Sequence, residues 1–548
     1  MGFPSDCVAS SPRAAIWGSA QLDAAKRSRE ASSRHNRGVN SSGVRVTELL
    51  AALSFGADLG LGHPTEHVLR QTYIALHLAE RRAMDDEERE VVYYASMLAW
   101  LGCHIDAYEQ AKWFGDDQAF KHDAAYIDIG DAVGSVAFLL RHLGDGRPLA
   151  ERVRAGVGFL ADGRHDLEQM YMNHWRAASA LSEDLGLSDA VRDSVAQTFE
   201  RWDGKGEPDG IKGENVLPSA RLVQLADVTE VFHHTGGVGA AVEVARARSG
   251  GQFDPALVEL FETEAETIFE DLEQVTTWDA VMGKAPTVSR ELSDDELDQV
   301  LAAIADFVDL KSPYTLGHSR GVAELAAAAA SDLGANTQTV RRAGLVHDLG
   351  RMGVANTIWD KRTPLTAGEI ERVRLHPYYT DRILASVPAL ACLAPIAAQH
   401  HERLDGSGYP RGSTAESLTP EGRVLAVADC YQAWSEPRPY REALDAGAIA
   451  TRLREEVRAG RLDGGAVDAV LRGAGHQVRR NRDWPAGLTA REVEVLRHLA
   501  RGMSQKEIAQ CLVISRKTAS NHVEHIYAKI GVSNRAMASL FATRHGLL

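Results

Sequence analysis

Little in this chain of 548 residues suits an oxidising or a membrane environment. Its 5 cysteines (Cys7, Cys103, Cys392, Cys430, Cys511) are scattered, odd in number and never paired as Cys-x-x-Cys. That argues for a reducing cytoplasm and against a structural zinc site. No apolar run approaches the roughly 18 residues that span a bilayer, and the start lacks the basic-then-apolar pattern of a secretory signal. A soluble, cytoplasmic protein with no membrane partner is therefore expected. Aromatic residues make up only 6%, and strand-like clusters of Val, Ile and Thr are few against many alanine-rich periodic runs. An all-α fold follows from that balance. Charge is uneven as well: the net value is −16, yet residues 485–548 hold 9 Lys+Arg against 4 Asp+Glu. One small basic end on an acidic body points to a nucleic-acid contact at that end. The length exceeds one ordinary core.

What the chain does have is a run of potential metal ligands between Tyr314 and Asp429: His318, the pair His347-Asp348, His376, the pair His400-His401, and Asp429. Imidazole and carboxylate are the usual first-row metal ligands. Neighbouring side chains on a helix point about 100° apart, so adjacent ligands can flank two ions. His347 can bind one ion while Asp348 bridges both, His400 and His401 can repeat the arrangement from a second helix, and Asp429 can close the far side. Two metals about 4 Å apart activate water at neutral pH and neutralise charge on a phosphodiester.

Over about 286 to 475 these residues resemble the HD-domain phosphohydrolases, and within them the HD-GYP subgroup. The resemblance is carried by His347-Asp348, by Thr363-Pro-Leu-Thr ahead of His376, by His400-His-Glu-x-x-Asp405-Gly-x-Gly408-Tyr-Pro410, and by Arg438-Pro-Tyr-Arg441. It implies an all-helical enzyme that uses two divalent ions, iron or manganese, to hydrolyse a cyclic dinucleotide, cyclic di-GMP first among them. It makes His318, His347, Asp348, His376, His400, His401 and Asp429 the ligands, with His347, Asp348 and Arg351 catalytic. Arg438 and Arg441 fall to the substrate phosphates, a role that suits forked guanidinium donors. Three positions depart from the family. Arg351 replaces its usual Lys and is a poor proton donor. Tyr314 stands where trinuclear members carry Glu, which points to two ions. Tyr431-Gln432-Ala433-Trp434 replaces Tyr-Asp-Ala-Leu. The competing reading is a domain that senses a nucleotide ligand without turning it over.

An internal repeat organises the rest. Phe199-Glu-Arg-Trp-Asp203-Gly-Lys-Gly206-Glu-Pro208 lines up with His401-Glu-Arg-Leu-Asp405-Gly-Ser-Gly408-Tyr-Pro410 at an offset of 202, which also pairs His174 with His376 and Asp227 with Asp429. Thr198 and Phe199 stand where His400 and His401 stand, the His-Asp position falls near Ala99-Trp100, and His67 lies opposite His318. Residues 46–285 therefore read as a degenerate HD-GYP-like copy, a packing or sensing partner in which Trp100 and Phe199 either fill the vacated site as core or leave a ligand pocket, and 286–478 as the intact copy. Residues 1–45, rich in Ser, Arg, Gly and Asn, read as a disordered leader.

Past a basic linker, residues 479–548 show Thr489-x-x-Glu492 and Ser504-x-x-Glu507 as capping boxes. In a third helix capped by Ser515, Ala519, Val523, Ile526 and Ile530 recur at helical steps. Its outward face offers Lys517, Thr518, Asn521, His522 and Lys529, short polar and cationic groups that suit major-groove and phosphate contact. The segment resembles the LuxR-type helix-turn-helix, a small four-helix domain, and by that analogy Lys506 and Arg516 also face phosphate. DNA is the implied partner, and paired half-sites imply a homodimer.

Overall fold

Several helices of this protein begin where the sequence supplies a side-chain acceptor for their first amides. Ser293 with Glu296, Thr366 with Glu369, Thr489 with Glu492 and Ser504 with Glu507 all form reciprocal capping boxes. The computed structural model describes residues 43–145, 148–274, 276–286, 291–475 and 484–548. The leader expected over 1–45 lies outside the described residues up to residue 42, as does most of the basic linker after residue 478. Arg45–Leu548 pack as one unit of helices, and only isolated bridges stand in place of sheet among the described residues. No described helix is long and apolar enough to cross a membrane.

Two halves repeat one packing scheme. His67–Arg81 lies against Asp86–Leu98 and Pro218–Ala247 in the first half, as His318–Asp332 lies against Thr337–Val346 and Pro420–Ser435 in the second. The hydrogen bonds repeat with it. Asp58 accepts from the Val68 amide and Asp309 from the Ser319 amide. Gln197 accepts from the Leu217 amide and Gln399 from the Thr419 amide. Glu200 gathers the amides of Asp209 and Ile211, and Glu402 those of Arg411 and Ser413. A buried carboxylate needs such donors, so each copy keeps the same Glu to fold its Asp-Gly loop, whatever became of its chemistry.

The His-Asp register of the first half follows from two glycines. A Cβ on Gly102 would strike the His174 carbonyl at 2.3 Å, and one on Gly350 would strike the His376 carbonyl at 2.0 Å. Gly102 thus stands opposite Gly350, which puts Ala99-Trp100 opposite His347-Asp348. The first half reaches His174 through an inserted segment, Ala107–Phe114, Asp117–Ala124, Ala132–His142 and the 36-residue helix Leu149–Asp184. Where the second half gathers its ligands, Trp100, His174 and Phe199 pack edge to face, with centroids 4.8 to 6.5 Å apart.

Ala490–Ala500, Gln505–Cys511, Arg516–Ile530 and Arg535–Arg544 close the chain around a core of Val493, Leu496, Ile508, Ala519, Val523 and Ile526. This module docks on both halves. Arg544 pairs with Asp184, the Arg535 guanidinium lies 4.7 Å from the Tyr108 ring, and Gly502 sits on Pro313.

Candidate metal centre

Five histidines and two aspartates of the second half converge, and helix ends aim them. His347 and His400 sit on turns just past helices, not on helix faces as adjacent ligands would suggest. The reason is local. The last carbonyls of a helix have no partner inside it. His347 Nδ1 donates to the Gly344 carbonyl (2.7 Å), His376 Nδ1 to that of Val373 (2.6 Å) and His400 Nδ1 to that of Ala397 (2.6 Å). Gly344, Val373 and Ala397 each lie in the last turn of a helix. A carbonyl cannot donate, so in all three rings Nδ1 carries the hydrogen and Nε2 presents a lone pair inward. His318 is the first residue of its own helix, entered through Gly317 at φ 75°. Its Nδ1 is held by the Glu436 carboxylate at 3.0 Å.

The two carboxylates lie between two groups of rings. Asp348 Oδ1 faces His376 Nε2 (3.4 Å) and His400 Nε2 (3.6 Å), while its Oδ2 faces His347 Nε2 (3.4 Å) and His318 Nε2 (3.8 Å). Asp429 sends Oδ1 toward His318 Nε2 (3.3 Å) and Oδ2 toward His401 Nδ1 (3.6 Å). His376, His400 and His401 form one triad of donor atoms within 4.8 Å of one another, and His318, His347 and Asp348 a second.

Electrostatics suit a cation. Burial above all pushes His347, His376 and His400 down to about 4, and His401 well below its ordinary value, so these rings are neutral ligands at pH 7. Burial alone would lower His318 too, but Glu436 and then Asp429 carry it up to about 10. Burial would likewise make Asp348 and Asp429 hard to ionise, yet the surrounding imidazoles, and Arg351 beside Asp348, hold both far below the carboxylate range. His376 Nε2 and His400 Nε2 stand 3.0 Å apart with a lone pair on each, and the buried His347 Nε2 has no hydrogen-bond partner. Two facing lone pairs and an orphaned third are what a bound metal would satisfy. The donor set fits the metal that His and Asp in this pattern call for.

The centre opens into a cavity of about 770 Å³, in the size range of ligand sites. Arg351 reaches Asp348 Oδ2 at 2.8 Å and lies 4.1 Å from the Trp359 ring. Arg438 lines the wall, donating to the Tyr314 carbonyl (2.5 Å) and to Glu436 (2.9 Å). Arg441 also lines it, but its guanidinium is turned onto main-chain carbonyls of Ala433, Glu436 and Glu442. Lys361, Arg362 and Arg452 add charge to the wall, and Trp434, which stacks under Arg452 at 4.6 Å, adds a flat face. Sequence reading had singled out Trp434 as a departure but missed Lys361, Arg362, Arg452 and Glu436; among these, Arg362 directly before the Thr363-Pro-Leu-Thr run had a signal nearby.

In the tail, Lys506, Arg516, Lys517, Thr518 and Asn521 are exposed on one module and His522 is partly so. Lys529, also exposed, donates within the module to Glu492 (2.7 Å) and to the Gly487 carbonyl (3.0 Å).

Comparison with known proteins agrees with this geometry. The HD-domain family matches residues 164–257 and 302–465, so the match spans both halves. A 3'3'-cGAMP-specific phosphodiesterase 3 of Vibrio cholerae serotype O1 is 32% identical over 407 residues, 73% of this chain and 88% of that protein. The chain belongs to the HD-GYP branch of the HD-domain phosphohydrolases. The crystal structure of a cyclic GMP-AMP-specific phosphodiesterase of V. cholerae, V-cGAP3, superposes with a TM-score of 0.55 at 26% identity, covering 79% of this chain and 98% of that one. The cyclic di-GMP phosphodiesterase response regulator RpfG of Xanthomonas campestris pv. campestris is 33% identical over 181 residues, 32% of this chain and 47% of that protein. Residues 486–542 match the bacterial regulatory proteins of the luxR family. This HD-GYP protein thus combines a tandem HD body with a LuxR-type end.

Proposed function

We propose that residues 286–478 of this HD-GYP protein form a metal-dependent phosphodiesterase that opens a cyclic dinucleotide, and that residues 479–548 bind DNA. The observation that carries the reading is the pair of donor triads with Asp348 and Asp429 shared between them, at the base of the 770 Å³ cavity. His318, His347 and Asp348 would hold one ion and His376, His400 and His401 a second, with Asp429 serving both. Two divalent ions there, iron or manganese, supply Lewis acidity and water activation at the phosphodiester. The chain's own residues do the rest. Arg351 faces the charge that develops on the phosphoryl oxygens, and Arg438 holds a phosphate at the wall. Trp359, Tyr409 and Trp434 offer faces for the bases.

The substrate is 3'3'-cGAMP in preference to cyclic di-GMP. The Vibrio relative that spans both halves is specific for 3'3'-cGAMP, and this chain departs from the cyclic di-GMP pattern at Trp434, which lines the cavity. Residues 46–285 serve as a packing partner without a metal of their own, since Trp100 and Phe199 occupy the equivalent space. The exposed face of Lys506, Arg516, Lys517, Thr518, Asn521 and His522 meets DNA, with two chains on paired half-sites.

The deciding experiment loads the purified protein anaerobically with iron or manganese, measures bound metal, and follows both cyclic dinucleotides by chromatography. About two metals per chain and faster loss of 3'3'-cGAMP are expected, with both abolished in a His347→Ala/Asp348→Ala control. Two metals without turnover of either nucleotide would instead make the domain a ligand sensor.

A further inference from the structure

The two halves hold their shared histidine in the same way but recruit the supporting carboxylate from different places. In the first half His67 Nε2 meets Asp227 (3.0 Å), His67 Nδ1 meets Glu230, and Glu230 is paired by Arg70 (2.9 Å) from the His67 helix. In the second half His318 Nε2 meets Asp429 (3.3 Å), His318 Nδ1 meets Glu436 (3.0 Å), and Glu436 is paired by Arg438 (2.9 Å). The registers differ. The offset of 202 puts Gln432, not Glu436, opposite Glu230, and the offset of 251 puts Gly321 opposite Arg70. Gln432 lies over Gly321, where a Cβ would strike its side chain at 2.4 Å, and donates to Glu436 at 2.8 Å.

The His-Glu-Arg group is thus kept in contact, but in the second half its Glu comes four residues later, just past the helix Pro420–Ser435, and its Arg from the segment beyond, with Gln432 and Gly321 left in the vacated register. The displacement has a chemical result. Arg70 pairs Glu230 in the half that lost its ligand pairs, whereas Arg438 lines the cavity over the metal centre. A carboxylate on the far nitrogen of a ligating imidazole fixes its tautomer and raises its donor strength, and here the same carboxylate also fixes a cavity arginine.

We propose that Glu436 is a positioning residue with two loads: through His318 it tunes metal affinity, and through Arg438 it sets the grip on the substrate phosphate. This rests on the metal-dependent reading above. Gln432 then marks no loss of function, because its carboxylate has moved to Glu436.

Manganese binding to the metal-stripped full-length protein, by calorimetry, tests the idea without relying on turnover. Glu436→Gln should weaken manganese about 10- to 100-fold while the protein melts cooperatively. Gln432→Glu/Glu436→Gln, which returns the carboxylate to the register of Glu230, should recover most of that affinity. Its KM for 3'3'-cGAMP should stay raised, since Arg438 is still released. Unchanged affinity in Glu436→Gln, or a relocated variant no tighter than Glu436→Gln, overturns the proposal. Should Glu436→Gln fail to fold, the relocated variant decides alone: near wild-type manganese affinity supports the proposal and loss of binding overturns it. A wild-type protein that binds no manganese refutes the metal reading itself, a result distinct from either.

Discussion

Arg351 shows what a single residue can and cannot do in this centre. Burial alone would lower it, but Asp348 at 2.8 Å raises it further above its ordinary value, so it stays charged through the reaction and cannot protonate a leaving group. Its contribution is electrostatic: it donates to Asp348 Oδ2 without being a ligand itself, and every member of the donor set stays in place when it is removed. Arg351→Met should therefore lower kcat by about 100-fold and leave the manganese content unchanged, which metal analysis beside initial rates will check. Arg351→Lys, which restores a cation able to give up a proton, should recover much of the rate. Equal loss of metal in both variants would mean that Arg351 builds the site instead of acting in it. At this scale the paired ligands were legible because adjacency and order carry the information. Glu436 was not, because its partner His318 lies 118 residues away and Gln432 stood where the family carries Asp. The Nδ1 contacts to Gly344, Val373 and Ala397 were invisible for a different reason: their acceptors are backbone, which any sequence supplies.

The Asp-Gly loop shows the same logic at the level of the element. A Cβ on Gly408 would sit 2.4 Å from the Arg403 amide and 2.5 Å from Glu402 Cα, and one on Gly206 would sit 2.5 Å from the Arg201 amide and from Glu200 Cα. Both obstacles are backbone, so neither loop can yield by a rotamer change. Gly206→Ala and Gly408→Ala should each cost about 1–3 kcal/mol, read as a lower melting temperature. Only Gly408→Ala should also cost metal, since His400 and His401 enter that loop; metal loss in Gly206→Ala would show that the first half supports the centre directly. The repeat itself was readable because one offset of 202 covers the landmarks from His174 to Asp227. The earlier register was not, because His174 meets the Ala99 carbonyl across 75 residues, and a helical insertion that keeps the contact while changing the spacing defeats any fixed offset.

At the scale of the whole molecule, the segment from Ser312 to His318 is shared by both functions. Ser312, Tyr314, Thr315 and His318 line the cavity, the Tyr314 carbonyl takes a hydrogen bond from Arg438, and Pro313 lies beneath Gly502 of the terminal module. Leu548 reaches Gly317, where a Cβ would lie 3.9 Å away. Events at the metal centre and at the docked module thus meet on one short stretch of backbone. Arg516, Lys517, Thr518 and Asn521 of the Arg516–Ile530 helix stay exposed beside that contact, so docking leaves the proposed DNA face open. Coupling is reciprocal wherever it exists. Adding manganese and 3'3'-cGAMP should therefore shift the affinity of the wild-type protein for a duplex it selects from random sequence, and the duplex should shift nucleotide affinity by the same factor. Asp184→Arg, which sets two arginines against each other where Arg544 now pairs, should reduce both shifts. It should leave the affinity measured without nucleotide within about 2-fold, because a partly exposed ion pair contributes little by itself. Fluorescence anisotropy on the labelled duplex reads both quantities. An intact response in Asp184→Arg would place the link elsewhere than the docked face, and a response absent from the wild type would leave the body and its tail as independent machines on one chain.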